Sequence, residues 1–550
     1  MSAFLLFLCG FLLFVSPLYS LSFFDPDPPE QLAAALESAM TDEQALAQVF
    51  MVGWVGAQSS PLIMDWIRQR DLGGVKIFGW DTEDTLRLAR TIGEFQQASL
   101  EGPFNIPLLV ATDQEGGWIR HVKGLTSDPP GHMAIGASGL PRDAFLSGYY
   151  IGREIALIGI NMNFAPTVDL FTNRNSTIIG PRAFSDDPVH AGILGTAFMR
   201  GQLAAGIIPT AKHFPGHGDT ALDSHGVLPR INIPFETLWN RELIPYRMLI
   251  KEGLPAIMSG HLAFPMTEGL GAPASLSPWF MRNVLRYRMG FNGLIITDDL
   301  MMVGALSWMG NSVSRTAKQA LIAGNDIIMF SITPALNDAV WTLLINSMRN
   351  DADFNRIVRQ AARRTLELKL RHLRGNEKVP FVPDLQRVAA EIPDRDGSAF
   401  FLNLAARSVT FVEPDSANSV FPLLPENAGR VLLAGRFTDF FRFGRLAFPA
   451  AANYFFFGAG DPALFTSLAR NADTIIFCVA DVSDIRLLRA IQGLGRRVIV
   501  FSILNPVHIE NLPWIDGAVA VYSYAAESFA AGFSAMTGRI PAEGILPFEF

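Results

Sequence analysis

A chain of 550 residues, 49% of them hydrophobic and 42 of them Phe, is too long for one ordinary domain and has ample apolar surface for two. Its net charge of −8 comes with no accumulated basic stretch, which argues against a nucleic-acid partner and favours a small neutral or polar substrate. The two cysteines, Cys9 and Cys478, cannot build a disulfide framework or a cysteine metal site.

Residues 1–22 are almost wholly apolar, with Phe4-Leu5-Leu6-Phe7-Leu8 followed by Phe11-Leu12-Leu13-Phe14-Val15. They read as an export signal or an N-terminal membrane anchor, although no Lys or Arg precedes the apolar run. The run is short for a spanning helix. The expected location is therefore exported: periplasmic, attached to the cell envelope or secreted. Any membrane association is expected through this segment only. Cys9 lies inside the run without a lipoprotein motif, and Cys478 is expected to be a small core residue.

Beyond the acidic, proline-bearing stretch from Asp25 to Glu30, about eight short apolar runs follow. They cover residues 48–53, 74–79, 107–112, 162–166, 207–211, 256–259, 293–297 and 326–330. Amphipathic helical patterns such as Thr82 to Leu100 and Asp143 to Ile158 lie between them. Continuous apolar runs alternating with helices are the pattern of buried parallel strands, and eight of them predict an α/β fold, a (β/α)8 TIM-like barrel over residues 30–375. A strongly charged helix from Phe354 to Arg374 is expected to close it. Residues 376–404 read as a linker. A second alternation of about six strands predicts a smaller α/β sandwich domain over 405–550.

The ends of the barrel runs carry Asp113-Gln114-Glu115, Asp169, Lys212-His213, His261 and Asp298-Asp299. In a barrel these ends converge on one face, where chemistry is done. The densest stretch is Lys212-His213-Phe214-Pro215-Gly216-His217-Gly218 with Asp223-Ser224-His225, which holds three of the 9 histidines.

Asp298 ends an apolar strand, so a rigid carboxylate there suits attack on an anomeric carbon through an oxocarbenium-like transition state. Read structurally, Asp298-Asp299-Leu300 could instead cap the next helix. Asp223 and His225 lie two apart in a loop, where a carboxylate can orient an imidazole. A histidine pKa of about 6.5 suits a group that donates and then accepts a proton. The bland alternative is a solvated loop. A zinc site at His213, His217 and His225 is a further reading, but their spacing is not that of a helical pair and no cysteine ligand is near. Asp113, Arg182, Lys212 and His213 suit charge-assisted hydrogen bonds to sugar hydroxyls, or simply buried ion pairs.

These motifs together resemble bacterial β-N-acetylglucosaminidases of glycoside hydrolase family 3. The likeness runs from Asp113-Gln114-Glu115-Gly116-Gly117 through Asn163-Phe164-Ala165-Pro166, Gly180-Pro181-Arg182 and the Lys212–His225 stretch to Ser259-Gly260-His261 and Thr297-Asp298-Asp299-Leu300. It covers residues 40–375 strongly and reaches the C-terminal domain more weakly.

The resemblance implies a retaining double displacement. Asp298 would be the nucleophile, His225 paired with Asp223 the general acid/base, and Asp113, Arg182, Lys212 and His213 the grip on N-acetylglucosamine. It implies no metal and no organic cofactor, a small GlcNAc-containing glycan or muropeptide as partner, and a supporting rather than catalytic second domain.

One departure concerns an arginine expected after the Asp-Gln-Glu-Gly-Gly motif. Here the segment is Trp118-Ile119-Arg120-His121, and Arg120 is the expected substitute. The implied activity is hydrolysis of terminal β-linked GlcNAc from peptidoglycan fragments or chitooligosaccharides. The alternatives are a β-glucosidase or glycosyl phosphorylase of the same fold, or a non-catalytic sugar-binding protein of the cell wall.

Overall fold

The computed structural model describes residues 21–54, 58–80, 82–413 and 419–550. The leader expected at 1–22 lies, up to residue 20, outside the described residues. Among the described residues no helix is long and apolar enough to cross a membrane.

Eight parallel strands close into a barrel: β1 (Phe50–Gly53), β2 (Gly74–Ile77), β3 (Leu109–Thr112), β4 (Met162–Asn163), β5 (Ile208–Phe214), β6 (Ala256–Ser259), β7 (Leu294–Asp299) and β8 (Ile327–Phe330). Their residues are buried on both faces, except at the end of β7, which explains the unbroken apolar runs. The seam closes where Phe50 pairs with Ile328. There the Phe50 ring stacks on Trp66 and Phe330, at centroid distances of 5.4 and 5.6 Å.

Two strands depart from the predicted bounds. β4 is only two residues long because asparagine side chains take over its ladder. Asn161 Oδ1 accepts from the Val110 N–H at 2.8 Å, and Asn163 Oδ1 accepts from the Gln114 N–H at 2.9 Å. β5 runs three residues past its predicted end, through Lys212 and His213 to Phe214, because those polar groups are paired inside the barrel mouth.

The connecting helices start where capping predicts. Asp84 accepts from the Arg87 N–H ahead of Thr85–Leu100, and Ser312 from the Arg315 N–H ahead of Val313–Ala323. The expected closing helix is Ala352–His372, capped by Asp351 and carrying Lys369, Arg371 and His372 in its last turn, where cations suit the helix dipole. It is tied to the barrel by Arg364, whose Nε lies 2.6 Å from Asp326 at the foot of β8.

The segment 376–404 holds a helix, Leu385–Glu391, and most of a second, Arg395–Ser408, which packs against the barrel helix His132–Ser138. The second domain is a six-stranded sheet: β9 (Thr410–Val412), β10 (Val431–Gly435), β11 (Ala452–Phe455), β12 (Thr474–Val479), β13 (Arg497–Ser502) and β14 (Gly517–Ala520). Its order is β9-β14-β13-β12-β10-β11, parallel except for β9. Cys478 is buried in its core.

The two domains meet along the loop that carries Arg182. Ser185 Oγ donates to the Pro547 carbonyl at 2.8 Å, and Phe171 meets Phe548 edge-on at 5.0 Å. Arg407 holds Asp143 at 2.6 Å on the same side.

Candidate active site

The floor of the barrel mouth is a buried charge network. Asp113, just past β3, takes Lys76 Nζ of β2 at 2.6 Å on one oxygen and Lys212 Nζ of β5 at 2.5 Å on the other. Lys212 also reaches Glu115 at 2.6 Å. Glu115 in turn holds Arg182 through two parallel bonds, Nη2 at 2.8 Å and Nε at 3.0 Å, the fork geometry that fixes a guanidinium in direction.

Burial opposes ionisation of both acids. The charges of Lys212 and Lys76 still hold Asp113 well below the usual carboxylate range, and those of Arg182 and Lys212 do the same for Glu115. Burial likewise opposes the charge on Lys212, yet Asp113 and Glu115 raise its pKa.

His213 stands next to this network. Its Nδ1 lies 2.7 Å from Asp169 Oδ2, and its backbone N–H donates to the same carboxylate. Arg182 Nη2 is 3.4 Å from its Nε2. Asp169 also accepts the His217 N–H at 2.7 Å, so one buried acid pins both ends of the turn after β5.

Asp298 is the penultimate residue of β7, at the rim. Its Oδ1 accepts the Asp299 N–H at 2.8 Å. Burial pushes its pKa up, but the charges of His213 and His261 and that N–H outweigh burial, so the carboxylate is held below its ordinary value and is ionised at neutral pH. Asp299 faces away, as strand alternation requires, and accepts from the Met301 and Ser331 N–H groups at 3.0 Å each. Neither carboxylate caps the next helix, whose N-cap Met302 takes no side-chain bond; Asp299 instead ties down the loops after β7 and β8.

Asp223 and His225 form the expected dyad. His225 Nδ1 lies 2.6 Å from Asp223 Oδ1, and the same oxygen accepts the His225 N–H at 2.9 Å. Partial burial would raise the Asp223 pKa, but these two bonds bring it below the ordinary value. The His225 side chain is 70% exposed, whereas Ser224 between the two is buried. Ser224 is anchored twice: its Oγ lies 3.3 Å from His217 Nε2, and its carbonyl accepts the Gly304 N–H at 3.0 Å. The three histidines therefore take three different partners, Asp169, Ser224 and Asp223.

Asp113, Arg182, Lys212 and His213 are thus brought into one network, with Asp298 beside it. Arg120 stands apart. Its guanidinium is taken up by the Ser127 carbonyl at 2.6 Å and by Asp128 at 2.6 Å, which closes the loop that follows it. Glu115, Asp169 and His261 were expected on this face without an assigned role, and Lys76 was not singled out at all. A lysine inside the apolar run Gly74-Val75-Lys76-Ile77 was the available signal, since a buried charge needs a partner. His261 is buried, donating from Nε2 to the Asp299 carbonyl at 3.0 Å with Ser275 Oγ at 2.7 Å from its Nδ1.

Residues 41–360 match the model of the glycosyl hydrolase family 3 N terminal domain. A beta-hexosaminidase from Tolumonas auensis is 37% identical over 266 residues, 48% of this chain and 76% of that protein. Beta-hexosaminidase A from Pseudoalteromonas piscicida is 30% identical over 359 residues, 62% of this chain, but the match spans only 57% of its own length. Among solved structures, a glycoside hydrolase family 3 beta-N-acetylglucosaminidase from a Paenibacillus species superposes with a TM-score of 0.82 at 26% identity, covering 93% of this chain and 99% of that one.

Proposed function

Because the chain belongs to glycosyl hydrolase family 3, we propose that it is a retaining exo-β-N-acetylglucosaminidase that removes terminal, non-reducing GlcNAc through a covalent glycosyl-enzyme. The observation that carries this reading is Asp298: an ionised carboxylate at a strand end, beside a hydroxyl-binding charge network and near enough to His225 to feel its charge. The names of the relatives support the sugar. The natural substrates would be peptidoglycan fragments or chitooligosaccharides, met outside the cytoplasm if the apolar residues 1–22 act as an export signal or anchor.

In the first step an Asp298 oxygen attacks C1 while His225 donates its Nε2 proton to the leaving oxygen, so the glycosidic bond breaks as the ester to Asp298 forms. Asp223 accepts the Nδ1–H, which stabilises the imidazolium before transfer and afterwards holds the neutral ring in its Nδ1–H tautomer, with Nε2 free to act as base. In the second step neutral His225 takes a proton from water, water oxygen bonds C1, and Asp298 departs. Lys212 is already held by Asp113 and Glu115, and Arg182 by Glu115, so a sugar meets fixed donors and acceptors and little rearrangement is needed.

An imidazole acid/base places no negative charge where the second nucleophile arrives, which leaves phosphate chemically admissible in place of water. The test is turnover of p-nitrophenyl N-acetyl-β-glucosaminide and the matching glucoside, each with and without phosphate. GlcNAc release from the first, independent of phosphate and abolished by Asp298→Ala in a protein that still melts cooperatively, is expected. Faster glucoside release, or appearance of a sugar 1-phosphate, overturns the assignment. No release from either substrate by folded protein favours a sugar-binding role.

A further inference from the structure

A cavity of about 680 Å³ lies where the two domains meet, apart from the residues assigned to catalysis. Its walls come from both sides. Trp118 and Pro181 belong to the barrel loops, and Phe437, Asn505, His508 and Tyr524 to the second domain. On the second domain it opens at the carboxyl ends of β10, β12 and β13. The chain goes from β10 outward to β11, and from β12 the other way to β13 and β14. That reversal makes a crevice between β10 and β12, the position at which open parallel sheets bind ligands. Its size and mixed lining fit a ligand site, typically about 300–1,000 Å³.

The chemistry of the walls narrows the ligand. The cations on the rim are already neutralised: Arg174 holds Asp186 at 2.7 Å, and Arg436 is held by Asp481 and by Asp484 at 3.0 Å. Apart from the exposed carboxylate of Glu510, which would repel an anion, what remains is uncharged hydrogen-bonding groups and aromatic surface. Trp118 and Tyr524, 36% and 42% exposed, offer ring faces. Burial lowers the His508 pKa, so its ring is neutral and can donate once and accept once. The Asn505 amide closes against the backbone beside Arg182: a Cβ at Gly180 would meet its Nδ2 at 3.3 Å. Aromatic faces with neutral donors and acceptors suit the C–H faces and hydroxyls of a pyranose rather than a phosphate, a carboxylate or a lipid chain.

The cavity is also tied to the catalytic grip. Pro181 precedes Arg182, and Trp118 lies three residues after Glu115, so the cavity borders the two segments that carry the Arg182–Glu115 pair and, through Glu115, Lys212. We propose that this junction cavity is a second carbohydrate site, holding further sugar units of the glycan whose terminal unit is cleaved at Asp298. This rests on the glycosidase reading above.

The test uses full-length chain in two arms. In the first, the Asp298→Ala protein is titrated calorimetrically with N-acetylchitotetraose and with free N-acetylglucosamine. The tetramer is expected to bind at least ~10-fold more tightly than the monomer, and Tyr524→Ala or His508→Ala, made separately, to remove that advantage. In the second arm, the same substitutions in active enzyme are expected to lower kcat/KM for the tetramer ~10-fold and leave the aryl monoglycoside unchanged. A tetramer that binds no better than the monomer overturns the proposal, as does an advantage that survives both substitutions. Absence of turnover in the second arm overturns the glycosidase reading instead, and the binding arm is read without it.

Discussion

Gly304 offers a direct measure of how closely the dyad must be held. A Cβ built there would lie 2.9 Å from the Ser224 carbonyl oxygen, 3.1 Å from His261 Cβ and 3.2 Å from the Val227 carbonyl oxygen. Comfortable contact needs about 3.5 Å or more, so in Gly304→Ala something must yield by roughly half an ångström. His261 is fully buried, whereas the loop on the other side carries the exposed His225. The loop is the softer wall, and it should move.

Overpacking of this kind costs about 1–3 kcal/mol, and with a loop that yields the loss should sit near 1 kcal/mol. The functional cost is larger. General acid catalysis contributes about 10²–10⁴-fold, and misplacement approaching 1 Å can remove about 10² of that. The assay is kcat/KM, which reports glycosyl-enzyme formation, for N,N′-diacetylchitobiose and for a 2,4-dinitrophenyl glycoside. The expected loss is roughly 10–100-fold for the disaccharide, whose leaving group needs a proton, and about 3-fold or less for the aryl substrate, which does not. In a His225→Ala background the same change should add almost nothing, because both act through one proton transfer. Equal losses on the two substrates, or full additivity in the double variant, would refute the reasoning.

His225→Ala alone should show the same leaving-group dependence more strongly, with kcat/KM for the disaccharide down at least ~100-fold; equal slowing of both substrates removes His225 from the acid role. Stability should fall as pH drops from 7 to 5, ahead of any carboxylate effect. Burial pushes His132 and His217 down to about 4, while in the unfolded chain they titrate near 6.5, so the unfolded state takes up protons first. At pH 5 each contributes about 2 kcal/mol of destabilisation, and a Tm that stays flat between pH 7 and 5 contradicts this burial.

The barrel was legible because parallel strands buried on both faces leave uninterrupted apolar runs, which a single sequence displays directly. Its ends were less so. β5 was expected to stop at Ala211, since a lysine normally marks the edge of a core. Lys212 stays inside because Asp113, 99 residues away, meets it, and no local pattern shows a partner at that separation. Lys76 was overlooked for the same reason. Asp298, His225 and Asp223 could be singled out because each sits in a dense local motif that resembles a known family. Arg120 was expected in the grip from its position in the motif alone, and the carbonyls that claim its guanidinium are set by a loop turn the sequence does not advertise.

The contacts around Ser185 bear on modularity. The loop that presents Arg182 is backed by Val507, Tyr522 and Phe548, packed with Ile179 and Ala183 in one apolar cluster, and is pinned through the Pro547 carbonyl. Four of the ten buried residues of that cluster belong to the second domain. A barrel separated from its sheet domain would expose this cluster to water and leave the arginine loop without a back wall. The two domains are therefore not interchangeable cassettes. Exchanging the sheet domain between relatives should preserve sugar binding only where these loop-facing side chains travel with it.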